Sequence, residues 1–346
     1  MPAELSAEEF LKSDGVLLDT RSPCEFQVGH IPGSINLPLF SDDQRKEIGI
    51  CYKQQGQEAA VELGLEMVGP RMVNLVRQAK RLAPNGQVRV YCWRGGMRSG
   101  SLCWLLETAG MKVNRLIGGY KSFRKWCGDT FCIAKPIITL GGLTGTGKTS
   151  LLHALGQRSQ AVLDLEGFAN HRGSSYGSLG LPPQPTQEQF ENQLALAWDE
   201  FSGDQAIWIE SESSHVGLRH VPAALFSQMK TSPVVLIQRT LEERLDILSK
   251  EYGDCELAGL IEATQRIERR LGGQHANAAV ENIRQGDLKP AIAIALVYYD
   301  KVYQREFPRP DVPQVAVDLR GMTDEQSLEK ILVAADELKP ALAIGN

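Results

Sequence analysis

Short apolar runs, separated by turns and by longer amphipathic stretches, set the rhythm of the first part of the chain. Residues 15–19 and 35–37 predict short strands; residues 88–92 predict another, and 99–109 the helix that follows it. Residues 68–82 place apolar side chains at helical spacing, with basic residues on the other face. Strands alternating with helices predict a parallel sheet, because parallel neighbours need a crossover between them. Residues 118–136, with Lys121, Arg124, Lys125 and Trp126, close this unit. Pro136 then opens a clean apolar run, which sets the expected boundary near residue 134.

The second part repeats the pattern. Strands are expected at 137–140, 161–165, 206–209, 234–238 and 315–318, with a helix at 187–201. Helical periodicity dominates 241–252, 257–271, 276–285, 291–303 and 323–338. The stretch 174–185 is rich in Gly, Ser and Pro and reads as a mobile substrate loop. The expectation is two α/β domains, 1–133 and 134–346, the second with a helical carboxyl-terminal part.

Composition narrows the class. The chain has 346 residues, 42% hydrophobic and 23% charged, enough for two cored domains. A net charge of −5 gives no general affinity for nucleic acid or membrane, so any RNA contact needs a local basic patch. No apolar stretch approaches the roughly 20 residues that span a bilayer. The acidic amino terminus has no signal-peptide pattern, and a cytoplasmic protein with no membrane partner is expected. The seven cysteines include no Cys-x-x-Cys pair, so neither a zinc site nor a disulfide framework is expected. Most should be small buried apolar groups.

Cys92 is the exception. It opens the turn Cys92-Trp93-Arg94-Gly95-Gly96-Met97-Arg98 between an expected strand and an expected helix. A thiolate is stabilised by the N–H groups of a Gly-rich turn and by the positive end of the next helix. Arg94 and Arg98 add charge for an anionic substrate. Residues 18–26 and 29–38 (Leu-Asp-Thr-Arg-Ser-Pro-Cys-Glu-Phe, then Gly-His-Ile-Pro-Gly-Ser-Ile-Asn-Leu-Pro) with this loop resemble a rhodanese domain. Cys92 to Arg98 is Cys-x5-Arg, a residue longer than in many sulfurtransferases, and resembles relatives that take a larger tetrahedral anion. Asp19, Arg21, Glu25 and His30 are expected to be structural, and Cys24 and Cys51 to be bystanders.

Gly142-Leu143-Thr144-Gly145-Thr146-Gly147-Lys148-Thr149 is a complete Walker A loop between a strand and a helix. Its backbone N–H groups, with Gly142, Thr144, Gly145, Thr146 and Gly147, would surround phosphate, and Lys148 would reach the outer phosphates. ATP, a diphosphate ester or an RNA backbone would use the same cradle. No metal-ligand spacing stands out. Magnesium enters only through the Thr149 hydroxyl and the strand-end carboxylates Asp164, Glu166, Glu210 and Glu212. Arg239 and Arg244 resemble lid arginines of small P-loop kinases, although Arg244 also suits a solvated helix position.

Candidate RNA contacts are His171, Arg172, Ser174 and Tyr176, which combine cation, aromatic ring and flexible backbone. Arg266, Arg269 and Arg270 form a basic cluster on one expected helix, and residues 121–126 form another.

The rhodanese-like unit, the Walker loop and residues 166–174 (Glu-Gly-Phe-Ala-Asn-His-Arg-Gly-Ser), in that order, resemble the bacterial tRNA 2-selenouridine synthase family. The resemblance implies a transferase that acts on the wobble 2-thiouridine of the tRNAs for lysine, glutamate and glutamine. Geranyl diphosphate would alkylate the sulfur, and selenophosphate would then deliver selenium through Cys92 as a selenium-loaded cysteine. Both are co-substrates, a selenophosphate-supplying enzyme is an expected partner, and no bound cofactor is fixed. Two other classes stay open at this point. One is an ATP-dependent RNA or nucleotide kinase with a rhodanese-like regulatory or sulfur-transfer domain; the other is a protein whose loops only sense anions.

Overall fold

Five parallel strands build the first sheet of this computed structural model, which describes residues 2–306 and 311–342. They are β1 (Ala3–Leu5), β2 (Val16–Asp19), β3 (Ile35–Asn36), β4 (Gln87–Tyr91) and β5 (Lys112–Leu116), in the order β1-β5-β4-β2-β3. The sheet belongs to a unit comprising Met1–Thr130 and Glu191–Ala195. Val88 and Val90 of β4 pack with Leu18, Leu75, Leu102 and Leu106 into its core.

The pattern missed elements whose sequences hide their role. β1 (Ala-Glu-Leu) and β5 (Lys-Val-Asn-Arg-Leu) are too polar to read as strands. The helix Asp42–Gln55 buries no residue, so it has no apolar stripe to detect. The helix expected over 68–82 begins later, at Met72–Leu82, after a 3-10 turn at Gly69–Arg71, and the helix before that turn, Gln57–Val68, was not expected. Pro70 accounts for the break, since it lacks an N–H and its ring opposes the preceding turn. Residues Gly119–Thr130, expected only to close the unit, form a helix with Tyr120, Phe123 and Cys127 buried.

The second unit comprises Phe131–Phe190 and Leu196–Asn346. β6 (Ile137–Gly141), β7 (Ala161–Leu163), β8 (Ile207–Glu210), β11 (Val234–Gln238) and β12 (Gln314–Asp318) form a parallel sheet in the order β12-β11-β6-β8-β7. β9 (His215–Val216) and β10 (Arg219–His220) make a separate antiparallel hairpin. Every residue of β6 and β8 is buried, as their continuous apolar runs require of strands covered on both faces.

Differences from expectation have local causes. β7 stops at Leu163 because the Asp164 carboxylate caps the helix Leu165–Ala169 through the Gly167 N–H, at 2.8 Å. The helix expected over 257–271 bends at Ile267 into Leu257–Arg266 and Glu268–Leu271. The expected helices 276–285, 291–303 and 323–338 run as Gly273–Arg284, Leu288–Glu306 and Asp324–Leu342, and Ala223–Thr231 adds an unexpected one. Leu245, Leu248, Leu260, Ile283 and Leu296 knit the helices from Leu241 onward into a further core. Within each five-stranded sheet the strands run the same way, so their carboxyl ends share one edge. Ligand sites of parallel sheets form along that edge.

Candidate functional site

Cys92 follows the last residue of β4 and is buried, its sulfur 3.2 Å from the Ser99 hydroxyl. The next helix starts at Met97, with Gly96 as its cap, so its unpaired first-turn N–H groups lie at the loop. Behind the loop, Tyr120 and Lys121 donate backbone N–H groups to the carbonyls of Cys92 and Trp93, at 2.8 and 3.0 Å. This contact needs glycine at 119, where a Cβ would stand 2.4 Å from the Cys92 carbonyl oxygen and the Gly95 nitrogen. Asp19 and Arg21 are fully buried and spent on each other, with the guanidinium 3.9 Å from the centre of the Tyr120 ring.

Of the expected anion-loop residues, Trp93, Arg94, Gly96 and Met97 are exposed and Gly95 is half-buried with a φ of 65°. Arg98 is not free. Its guanidinium donates to Glu25 at 2.5 and 3.3 Å, and Arg45 lies 3.8 Å from the same carboxylate. Burial alone would raise the Glu25 pKa, but Arg98, the Ser22 N–H and Arg45 together hold it below the ordinary carboxylate value. The thiols divide more evenly than composition suggests: Cys92, Cys103 and Cys127 are buried, whereas Cys24 and Cys132 are exposed. Burial pushes Cys103 and Cys127 up to about 12, which keeps both protonated and inert.

The Walker loop follows β6. Gly145, with a φ of 83°, approaches the helix Leu241–Tyr252 so closely that a Cβ would stand 2.7 Å from Leu248 Cδ1. Arg239 donates to the Thr146 carbonyl at 3.2 Å. Arg244 donates to the Thr144 carbonyl at 2.8 Å and forks onto Asp300 at 2.6 and 3.0 Å. Arg244 is thus a buried brace and not a solvated helix position.

Three of the four strand-end carboxylates come together here. Glu166, Glu210 and Glu212 bring one carboxylate oxygen each to within 4.8 Å of one another. Thr149 Oγ1 lies 2.9 Å from Glu166 and 3.2 Å from Glu210, and Lys148 Nζ lies 3.4 Å from Glu210. Asp164 turns away to His153 and its helix cap. Burial, then the charges of Glu210 and Glu212, pushes Glu166 up to about 10; burial and Glu210 push Glu212 up to about 8. Burial works against the Lys148 charge, yet Glu210, Glu212 and Glu166 outweigh it and raise its pKa. An all-oxygen set beside a Walker threonine fits a hard divalent cation such as magnesium.

These groups line a cleft of about 1830 Å3. Its walls carry eight basic side chains, Lys148, Arg172, Arg219, Lys230, Arg239, Lys250, Arg266 and Arg270, against five acidic ones, so it is locally basic in an acidic protein. Arg269 is exposed and is not part of the wall. The expected RNA stretch is packed rather than splayed. His171 is buried against Gly177 and Gly217, and burial and Arg266 lower its pKa, keeping it neutral near pH 7. Arg172 pairs with Glu251 at 2.9 Å, and the Tyr176 hydroxyl bonds Thr264 at 2.9 Å. The loop expected to be mobile is fastened at Ser175, whose N–H donates to the Tyr299 hydroxyl and whose own hydroxyl donates to the Ala263 carbonyl. Ser174 accepts from the Tyr176 N–H at 3.2 Å. In the other basic cluster, Arg124 pairs with Glu191 and Lys125 with Asp129. Glu25 was expected to be structural, without its Arg98 partner; Gly119, Glu251 and Asp300 were missed by sequence reasoning. Only their tertiary partners reveal them.

Comparison with known proteins accords with both units. A rhodanese-like domain matches residues 3–125, and the AAA domain of tRNA 2-selenouridine synthase matches residues 135–316. A tRNA 2-selenouridine synthase of Bordetella petrii is 38% identical, over 86% of this chain and 87% of its own length. Those of Verminephrobacter eiseniae and Pseudomonas syringae pv. syringae are 37% and 36% identical, over 89% and 85% of this chain and 95% and 89% of their own lengths. On these matches, which span both units in the same order, the chain belongs to the tRNA 2-selenouridine synthase family.

Proposed function

We propose that the protein converts the wobble 2-thiouridine of lysine, glutamate and glutamine tRNAs to 2-selenouridine in two steps. The observation that carries this reading is the pair of anion loops, one with Cys92 and one with Lys148 and Thr149, each at the carboxyl edge of its own parallel sheet. In the first step the thiocarbonyl sulfur attacks C1 of geranyl diphosphate. A carbon–sulfur bond forms, the carbon–oxygen bond breaks with its electron pair going to pyrophosphate, and the uridine N3 proton passes to solvent. Lys148 and the loop N–H groups hold the diphosphate and stabilise the charge it gains. Thr149, Glu166, Glu210 and Glu212 would hold magnesium, which supplies further positive charge at that end.

In the second step selenium from selenophosphate bonds to C2 as geranylthiolate leaves, and hydrolysis of the phosphorus–selenium bond gives phosphate. Selenium stays at the selenide level throughout, so no oxidant is needed. A cysteine–selenium bond of any lifetime would require one. Cys92 is therefore read as a group that positions selenophosphate and forms no bond to selenium, in place of the selenium-loaded cysteine expected from the resemblance. The Cys92 loop serves this step, with its amides on the phosphate-like anion. A selenophosphate-supplying enzyme is the partner this chemistry calls for, and the cytoplasm, where tRNA is found, is its proposed place. Among the described residues no helix is long and apolar enough to cross a membrane.

Mass spectrometry of tRNA nucleosides separates the steps. Cys92→Ser is expected to accumulate S-geranyl-2-thiouridine, and Lys148→Ala to stop before it. Normal geranylation by Lys148→Ala would remove the Walker loop from the first step. A phosphorylated product formed independently of Cys92 would favour the kinase reading.

A further inference from the structure

Behind the Walker loop lies a small second cavity that the phosphate chemistry does not use. Leu248, Tyr252, Leu260, Ile283, Ala295 and Leu296 line it. Its three tyrosine hydroxyls are already engaged: Tyr176 with Thr264, Tyr299 with the Ser175 N–H, and Tyr252 with the Ser174 side chain. A ligand there would find no free polar partner among them, so its group must be apolar. The cavity measures about 40 Å3. A water occupies roughly 10–15 Å3 of such space, so the room is for roughly three or four heavy atoms, enough for a branched chain end and too little for a purine ring system.

The cavity adjoins the phosphate site across a shared wall. Thr144 of the Walker loop lines both spaces, as do Ser174, Leu248, Tyr252 and Tyr299. Leu248 also packs on Gly145, so one side chain touches the phosphate loop and faces the apolar space. We propose that this cavity takes the branched hydrocarbon end of a diphosphate ester whose diphosphate sits in the Walker loop. Ala291, Ala295 and Ile292 then set the length of chain the protein accepts. The inference rests on the reading of the Walker loop as a diphosphate site. It adds where the tail goes and why that place suits a branched hydrocarbon end rather than a purine ring.

The two alanines are 4% and 5% exposed, so a larger side chain at either would project into the cavity or its wall. Chain-length competition on the full-length protein provides the test, with dimethylallyl, geranyl and farnesyl diphosphates offered to 2-thiouridine tRNA and the alkylated nucleosides weighed. Ala295→Leu is expected to raise the KM for geranyl diphosphate about tenfold, with little change for dimethylallyl diphosphate, since a few methylenes in an apolar pocket are worth about that much. Ile292→Ala is expected to shift the preference toward farnesyl diphosphate, a gain that a folding defect cannot mimic. Selenium transfer to tRNA already geranylated should be unchanged in both. Wild-type chain-length preference in both variants overturns the inference and leaves the diphosphate reading standing. Failure of the wild type to transfer any of the three chains overturns that reading and the inference with it.

Discussion

Glu166 shows how one buried carboxyl links ligand state to stability. Burial and its two acidic neighbours push it up to about 10 from an ordinary 4.5. The stability that goes with its protonated form is therefore complete below pH 4.5 and drains away as pH climbs through 10. Glu166→Gln keeps an uncharged amide at every pH. Its melting temperature in the absence of ligands should fall less than that of the wild type between pH 5 and 9. A difference of several degrees is expected, since each kcal/mol shifts a domain of this size by about 2–4 °C. Parallel melting curves across that range would refute the assignment. The same protons must leave when a divalent cation binds, so magnesium should bind more tightly as pH rises and release protons, measurable by calorimetry in buffers of different ionisation enthalpy.

At the scale of elements, the helix Leu241–Tyr252 shapes the phosphate loop from one side. Leu248 packs on Gly145, and Arg244 ties the Thr144 carbonyl to Asp300. Arg244→Leu leaves the half-buried Asp300 without its guanidinium and frees the loop carbonyl. Pyrophosphate affinity should fall at least tenfold while the Cys92 step on pre-geranylated tRNA persists. An unchanged pyrophosphate Kd would mean the loop keeps its shape without the brace. Both loops and most strands were legible in the sequence because glycine spacing and continuous apolar runs are local signals. Gly119 was not, since its need for glycine comes from Cys92, a residue on another strand's loop. Glu166, Glu210 and Glu212 were visible one by one, but only the neighbouring strand ends of β7 and β8 bring them together. The packing of His171 and Tyr176 was not legible either: the sequence offered a polar, Gly-rich stretch, and its tertiary contacts fold it into a wall.

On the proposed two-step reading, the whole molecule works through two anion loops on two sheets, and the intermediate between them would be a modified tRNA rather than a tethered group. Cys92→Ser and Lys148→Ala proteins, each blocked in one step, should therefore restore 2-selenouridine when mixed, whereas the double variant should not. Absence of selenouridine from the mixture would show that the intermediate never leaves one chain. Net charge tells the same molecule from another side: at −5 it repels anions in general, so admission must be decided locally. At the cysteine loop the decision falls to Glu25, which already occupies Arg98 at 2.5 Å. An arriving anion has to outcompete a resident carboxylate. A singly charged visitor meets an equal; a multiply charged phosphoryl group holds the stronger claim. On the proposed reading the pair would act as a threshold on charge, keeping the thiol's neighbourhood closed to abundant monoanions and open to a phosphoryl donor.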